Sequence, residues 1–402
     1  MKTMIYMDNH ATTRVDPRVL EAMLPFFDTE YGNAASRTHR FGWRAEEAMH
    51  QARTRVARAI GADPKEIIFT SGATEASNLA LNGVLARARD GRDEIITGAT
   101  EHPAVLDPAR ALEARGARLT ILPVDRCGRV DPEEVRRAIG ARTALVSLMT
   151  ANNEVGTLHP IAAIGAICKE RDVLFHTDAA QAAGKVPLDV RAAGIDLLSI
   201  SGHKIHGPKG IGALYIRRKN PRVILEPMLH GGGQERGLRP GTLNVPGAVG
   251  LGVALELACA SMPEEAARIA ALRDRLQLEL LEALDAVQLN GHPVERLPNN
   301  LNLSFAHVEG ESLLMGLGDV AVSSGSACTS EKREPSHGLR AMGVADDMAQ
   351  SSIRFGLSRF TTEEEVGQVV RRVVETVRRL REMSPFAGPA KAAPAGVLGT
   401  RT

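Results

Sequence analysis

Short runs of apolar and β-branched residues alternate along the chain with longer segments of helical periodicity. Seven such runs occur, at residues 66–70, 93–97, 118–124, 143–149, 173–178, 196–201 and 210–216. The segments between them, such as IAAIGAICKER at 161–171, place apolar residues at helical spacing. This alternation predicts an α/β fold with a mostly parallel seven-stranded sheet. Ligands of such a sheet bind at the carboxyl ends of its strands.

The pattern changes after the glycine-rich stretch 231–242. A long helical stretch from about Pro246 is followed by NNLNLSFA, a helix, DVAVSS, a loop, SSIRF and a terminal helix, which predicts a smaller α+β domain. We therefore expect a large domain at 14–255 and a small domain formed by 1–13 and 256–384. The Ala/Pro/Gly-rich end, 385–402, is predicted to be a flexible tail because it cannot bury enough apolar surface.

Charge and composition narrow the function to small-molecule chemistry. The 402 residues include 49 Lys and Arg and 48 Asp and Glu, so a net charge of +1 provides no field for binding nucleic acid or an anionic membrane. No uninterrupted apolar run reaches about 18 residues and no secretory signal pattern opens the sequence, so we expect a cytoplasmic protein with reduced thiols. Neither GxGxxG nor GxxxxGK[ST] occurs, which weakens dinucleotide and ATP chemistry.

The four cysteines, at positions 127, 168, 259 and 328, are too far apart for the usual metal-ligand spacings, so we expect no metal site. Cys328 lies in SSGSACTSEKREP, a stretch rich in serine, glycine and charge that predicts an exposed, reactive loop thiol. Cys168 and Cys259 fall within apolar helical patterns and are predicted to fill the core. Any contact of the Cys328 thiol with an iron-sulfur cluster would be transient and confined to a partner complex.

Two residues after predicted strands could hold a carbonyl cofactor. Lys204 follows DLLSIS in SGHKIHGPKG, where its amine could form a Schiff base; an ordinary loop lysine is the alternative. Asp178 ends VLFHTD, where a carboxylate can keep a pyridine nitrogen protonated or can cap the following helix. Gln181 is three residues further on and could bind the phenolic oxygen of the same ring or close a turn.

Phosphate could bind where SGATEASN, at 71–78, opens a helix after the strand EIIFT. Ala73 and Thr74 lie at this helix start, although a plain capped helix is equally common. Ser201 and His203 could add donors to the same anion. Thr242 is the last residue of the glycine-rich stretch 231–242.

His102 and Arg354 complete the candidates. His102, in TEHPAVL, could stack on a flat heterocycle and exchange protons, whereas many such histidines are structural. Arg354, in SSIRF, could bind a substrate carboxylate through both guanidinium nitrogens or form a salt bridge between domains.

Together these segments resemble the cysteine desulfurases of the IscS/NifS type, within the class-V aminotransferase-like enzymes of fold type I that use pyridoxal 5'-phosphate. The resemblance runs from about Met7 to Pro385 and rests on motifs in the family's order: DNHATT, GNAASRTHRFG, SGATE, TEHPAVL, NNEVGT, DAAQAAGK, SGHKIHGPKGIGALY, GGGQERGLRPGT, SSGSACTS and SSIRFGLSRFT. The length of the stretch around Cys328 is similar to that of the IscS/NifS group. Pro240, where many relatives have serine, is a departure.

The resemblance implies a role for each candidate around the cofactor. Lys204 would bind pyridoxal phosphate covalently, Asp178 would pair with the pyridine nitrogen, His102 would stack on the ring and act in proton transfer, and Gln181 would meet the phenolic oxygen. The phosphate would be bound by residues of two segments, namely Ala73, Thr74, Ser201 and His203.

The resemblance further implies a substrate, a sulfur acceptor and partners. Asn153 and Arg354 would hold the carboxylate of L-cysteine, with Asn153 also near the cofactor, and Cys328 would take the sulfur as a persulfide. In the implied homodimer, Thr242 would reach the phosphate of the partner subunit. An iron-sulfur scaffold protein and other sulfur acceptors, including those of tRNA thiolation, would receive the sulfur.

Three alternatives remain open from the sequence. A selenocysteine lyase would use the same lysine and aspartate but could dispense with Cys328. An aminotransferase would need a 2-oxo acid as second substrate. A non-catalytic interaction protein for sulfur assembly could dock through the basic stretch 371–382, although a solvated helix explains that stretch as well.

Overall fold

The structure is a computed structural model, and it describes residues 4–88, 90–324 and 335–383. Its strands are β1 Ile5–Tyr6, β2 Ile67–Thr70, β3 Glu94–Gly98, β4 Arg118–Leu122, β5 Thr143–Ser147, β6 Leu174–Asp178, β7 Leu197–Ser201, β8 Gly212–Ile216, β9 Val287–Leu289, β10 Asn300–Phe305, β11 Val320–Ala321 and β12 Ser352–Gly356.

The α-helices of the same residues are α1 Pro17–Met23, α2 Arg40–Ala59, α3 Ala73–Leu85, α4 Pro103–Glu113, α5 Pro132–Ala138, α6 Ile161–Glu170, α7 Val245–Ala260, α8 Met262–Ala283, α9 Gly310–Leu317, α10 His337–Ala341, α11 Asp346–Gln350 and α12 Glu363–Met383.

The expected seven-stranded sheet is confirmed, with strand order β2-β8-β7-β6-β5-β3-β4. All of its pairings are parallel except those of β8, which runs antiparallel to both of its neighbours. Only residues 202–211 separate β7 from β8, too few for the crossover that a parallel strand requires. The chain turns back across the sheet between β4 and β5, so the connections after β3 and β5 diverge and leave a crevice at their carboxyl ends.

Helices cover both faces of this sheet. α7 is apolar on all sides and has ten buried residues among its sixteen, which is the composition of a central helix. It packs along α2, and a Cβ added at Gly252 would lie only 3.0 Å from the Cα of Ala52. Glycine at this position therefore permits the close approach of the two helices.

The remainder of the described chain forms a second hydrophobic cluster around the antiparallel strands β9, β10 and β12 and the helices α8 and α12. The N-terminal strand β1 joins it by pairing in parallel with β11. The helical stretch predicted from about Pro246 is interrupted at Ser261, because Pro263 at the start of α8 cannot continue a helical hydrogen-bond ladder. The bounds of the two domains stay a prediction: 14–255 for the large domain, and 1–13 with 256–384 for the small domain.

The predicted tail, 385–402, lies outside the described residues. Within residues 4–88, 90–324 and 335–383, no single helix combines the length and the apolar composition needed to cross a membrane. Only the pair α7 and α8 taken together, bent by 75°, meets that test of length and composition.

Candidate active site

A pocket of about 510 Å³ opens at the carboxyl ends of the parallel strands. This volume is within the range of about 300–1,000 Å³ typical of small-molecule sites. Ten of the twelve predicted site residues line it, from segments scattered between α3 and β12: Ala73, Thr74, His102, Asn153, Asp178, Gln181, Ser201, His203, Lys204 and Arg354.

Lys204 ends a short 3-10 turn that follows directly on β7. Its Nζ donates hydrogen bonds to the carbonyl oxygens of His10 and Ala11, at 2.6 and 2.8 Å. The N-terminal segment therefore closes one side of the pocket and holds the amine at its wall.

Asp178 is the last residue of β6 and is only 6% exposed. Its Oδ1 accepts the backbone N–H of Ala180 at 2.9 Å, so it fastens the turn that follows while also lining the pocket. Burial raises the pKa of this carboxyl, while the Ala180 N–H and the charges of His102 and Lys204 act in the opposite direction. A cationic ligand group beside it would favour the ionised form.

His102 is the N-cap of α4 and lines the same pocket. Its Nδ1 accepts the backbone N–H of Ala104 at 3.0 Å, so the neutral ring carries its proton on Nε2. Burial lowers the pKa of His102 and so favours this neutral ring, while the negative charge of Asp178 acts in the opposite direction. The structural and the chemical interpretations of His102 are therefore compatible.

The start of α3 presents unpaired backbone N–H groups, because its N-cap, Gly72, supplies no side-chain hydrogen bond. Ala73 and Thr74 form this helix start at the pocket wall. The turn lies against the first residue of β8, where a Cβ on Gly212 would clash with the backbone of Gly72 at 2.6 Å. A helix N-terminus open to a pocket is a ready site for a phosphate group.

His203 and Ser201 line the same pocket, and the Oγ of Ser201 lies beside this helix start, 3.9 Å from the position of a Cβ built on Gly72. His203 Nδ1 is 3.2 Å from the Oγ1 of Thr12. Burial, followed by the positive charge of Lys204, lowers the pKa of His203 to about 4, so this ring is neutral near pH 7. It can contact an anion as a hydrogen-bond partner but not as a cation.

Arg354 lies on β12 and is almost fully buried. Its Nη1 donates to the carbonyl oxygen of Asn153 at 2.9 Å, and its Nη2 donates to the Oγ of Ser323 at 2.8 Å and to the Oδ1 of Asp8 at 3.1 Å. The guanidinium forms a salt bridge with Asp8, but both residues belong to the predicted small domain, so this is not the expected salt bridge between domains. The bond to Asn153 reaches the predicted large domain, and these contacts hold the guanidinium in one orientation at the pocket wall.

Comparison with known proteins assigns this geometry to a family. The model of the class-V aminotransferases matches residues 5–369. The cysteine desulfurase IscS of Anaeromyxobacter dehalogenans (strain 2CP-C) is 59% identical over 386 residues, which cover 96% of this chain and 95% of that protein. The human cysteine desulfurase is 57% identical over 382 residues, covering 95% and 83%. The solved structure of a NifS-like protein is 40% identical, covers 94% of this chain and 100% of its own, and superposes with a TM-score of 0.88.

The chain belongs to the class-V aminotransferases, as a cysteine desulfurase of the IscS/NifS type. The family and the fold class expected from the sequence motifs are therefore confirmed. The roles of the individual pocket residues stay predictions.

The described pocket lining accounts for all but two of the predicted site residues of the desulfurase. Thr242 is exposed and lies outside the pocket lining. Cys328 lies in the segment 325–334, outside the described residues. Of the described residues on either side of that segment, Ser323 bonds to the pocket residue Arg354, and His337 Nε2 lies 3.0 Å from the carbonyl oxygen of Glu101, next to His102.

Several residues at or behind the pocket had not been predicted. His10 and Thr12 line it from the N-terminal segment, and Lys185 lies behind it. Glu101, directly before His102, is a fully buried carboxyl whose pKa burial raises well above its usual value. The motif DNHATT contains the first two, but only the tertiary fold brings them to Lys204, whose amine bonds to the His10 carbonyl oxygen across 194 residues of sequence. Among the described residues no group of three His, Cys, Asp or Glu side chains could hold a metal ion.

Proposed function

We propose that this cysteine desulfurase uses pyridoxal 5'-phosphate to convert free L-cysteine to L-alanine and leaves the sulfur as a persulfide on Cys328. The observation that carries the proposal is that a lysine amine, a buried carboxylate and an open helix N-terminus face one pocket of about 510 Å³. These are the three kinds of group that a phosphorylated pyridine aldehyde requires.

The pocket side chains have distinct tasks toward the cofactor. When bound, pyridoxal phosphate supplies a carbonyl carbon for an amine and a ring that withdraws electrons. Lys204 would hold this group covalently through Nζ, and its amine would move the Cα proton of the substrate. Asp178 would hold a proton on the pyridine nitrogen, His102 would pack on the ring and exchange protons through Nε2, and Gln181 would donate to the phenolic oxygen.

The start of α3 would hold the phosphate group of the cofactor. Ala73 and Thr74 would supply backbone N–H groups, and Ser201 and His203 would supply side-chain donors. The negative charge of the phosphate would then lie at the positive end of the α3 dipole.

The substrate carboxylate binds to Arg354 and to Asn153. The thiolate of Cys328 attacks the substrate sulfur, so that an S–S bond forms while the Cβ–S bond breaks. The three-carbon remainder is protonated and leaves as L-alanine. The enzyme thiol and L-cysteine thus give an enzyme persulfide and alanine, with no external oxidant or reductant.

A stoichiometric assay tests this function. Purified protein loaded with pyridoxal phosphate should form one L-alanine for each L-cysteine consumed, and should release one sulfide for each turnover when a reducing thiol is present. A single turnover without that thiol should add one sulfur atom to the peptide containing Cys328, measured by mass spectrometry. Protein freed of pyridoxal phosphate should be inactive and regain activity on reloading. Turnover independent of the cofactor would contradict the proposal.

The desulfurase also acts, in this proposal, as a homodimer in which Thr242 completes the phosphate site of the partner subunit. Thr242 is exposed, and a cluster of large apolar side chains is exposed near the start of α2, including Tyr31 at 67% and Trp43 at 55%. Tyr31 and Phe41 stack at 5.2 Å. Exposed aromatic clusters of this kind mark protein interfaces. Sedimentation should give a mass near twice 43.0 kDa, whereas a 43.0 kDa species at micromolar concentration would contradict the dimer.

The sulfur acceptor is proposed to be an iron-sulfur scaffold protein, with other acceptors such as those of tRNA thiolation served by the same persulfide. Direct nucleic-acid or membrane binding is not part of this proposal, since the net charge is +1. A cytoplasmic location, where thiols stay reduced, suits a reaction that depends on a free Cys328 thiol. A persulfide that is not transferred to a purified scaffold protein would count against this acceptor.

A further inference from the structure

A second lysine lies directly behind the pocket. Lys185 follows Gln181 by four residues in the turn after β6, and its Nζ donates to Gln181 Oε1 at 3.1 Å. Lys185 does not line the pocket itself. It faces a separate cavity of about 40 Å³ that Lys204 borders as well. Among the described residues, the amine is joined to the pocket lining by its hydrogen bond to the Gln181 amide.

The Gln181 amide is held in one orientation. Its Nε2 donates to the carbonyl oxygen of His10 at 3.0 Å, and His10 Nδ1 lies 2.9 Å from its Oε1. His10 is fully buried, and burial lowers its pKa well below the usual value, so the ring is neutral and carries one N–H. Its Nδ1 faces Gln181 Oε1 at 2.9 Å and its Nε2 faces the carbonyl oxygen of Asn299 at 3.3 Å, and the shorter contact favours the proton on Nδ1. A glutamine amide has two N–H donors, and one is used by His10. The second is left for a ligand of the pocket that Gln181 lines.

The Lys185 amine gains and loses its proton close to neutral pH. Burial, and then the positive charges of Lys204 and Arg354, lower the pKa of the Lys185 amine to about 7. The titratable and charged groups that face it or share its cavity come from four segments of the chain: His10, His203, Lys204, His206, Glu265, Arg354 and Arg359. An anion in the main pocket, such as a phenolate, would offset this excess of positive groups and favour the charged amine.

We propose that Lys185 is a positioning residue that acts through Gln181, orienting and polarising the amide so that its remaining N–H binds the phenolic oxygen of the cofactor more strongly. The inference rests on the proposed function, in which Gln181 contacts that oxygen. Hydrogen bonds to a charged group are about twice as strong as neutral ones, and bonds in a chain polarise one another. Such a chain of hydrogen bonds runs from Lys185 Nζ to Gln181 Oε1, and from Gln181 Nε2 to the phenolic oxygen.

The test is a pH titration of the visible absorption of the cofactor-loaded protein without substrate. A donor on the phenolic oxygen withdraws electron density from the neighbouring Lys204 nitrogen, so that nitrogen loses its proton at lower pH. Lys185→Met removes the charge and should raise the midpoint of the absorption change by about one pH unit. Lys185→Arg keeps a charged donor and should stay near the wild-type midpoint. Lys169→Met, at an exposed lysine of α6, is the control and should have no effect.

A double variant separates action through Gln181 from a direct effect of charge. Gln181→Leu should also raise the midpoint, and adding Lys185→Met to it should produce little further change, because the connecting amide is gone. An unchanged midpoint in Lys185→Met, or the same shift in both backgrounds, would overturn the inference. If the loaded wild-type protein develops no visible band at all, the proposed cofactor is wrong, which is a different outcome. Circular dichroism melting checks that each variant is folded.

Discussion

Replacing Lys204 with alanine is expected to abolish turnover of L-cysteine, with a fall in kcat of at least about 10²–10⁴-fold, the range that a positioned acid–base group contributes. The loss should exceed this range if the amine also provides the covalent attachment. The visible band of the lysine-linked cofactor should disappear, while pyridoxal phosphate itself can still bind at α3. The measurements are alanine formation and the absorption spectrum of the loaded variant.

The same variant has a predictable structural cost. In the cofactor-free protein, removing Nζ leaves the carbonyl oxygens of His10 and Ala11 without this donor, which should lower the free energy of unfolding by about 1–3 kcal/mol. The protein should still melt cooperatively. Lys169→Ala, at an exposed lysine of α6, provides the matched control and should retain activity and spectrum. Wild-type turnover in Lys204→Ala would remove the central residue of the proposed function.

The large sheet could be predicted because its strands are short, buried and separated by helical periodicity. The antiparallel direction of β8 was not specified, since it depends on the ten-residue connection from β7, a matter of chain length and not of residue pattern. The break at Ser261 was not predicted, because helix-forming residues continue from α7 into α8. Pro263 is the residue that indicates it. The local sequence therefore predicts the strands and helices better than it predicts how they are connected.

The pocket could be predicted in part for the same reason. Lys204 and Asp178 directly follow strands, and parallel strands bring their carboxyl ends to one edge, so their convergence follows from topology. His10 and Lys185 could not be placed in this way. His10 is brought in by the pairing of β1 with β11, and Lys185 by the turn after β6, and neither position is encoded in its neighbouring residues. The place of such residues in the site depends on side-chain contacts in the folded protein.

Replacing Cys328 with alanine is expected to lower sulfide and alanine formation from L-cysteine by about 10²-fold or more, equivalent to at least about 2.7 kcal/mol in the activation barrier. The substrate carboxylate and amine still bind to Arg354 and the cofactor, so the binding of L-cysteine should persist. The step that fails is cleavage of the Cβ–S bond, because no thiolate accepts the sulfur. The measurements are steady-state sulfide release and the absorption change when L-cysteine is added.

Cys127→Ala is the appropriate control, because Cys127 is the partly exposed cysteine of the turn at 125–128, on a segment that does not line the pocket. It should behave as wild type in both measurements. The contrast also separates the proposed function from the selenocysteine-lyase alternative, in which sulfur or selenium can leave without a cysteine acceptor. If Cys328→Ala released sulfide at the wild-type rate while Lys204→Ala did not, the cofactor chemistry would stand and the persulfide role would fall. A selective loss in Cys328→Ala, with binding intact, would instead assign sulfur transfer to the Cys328 thiol.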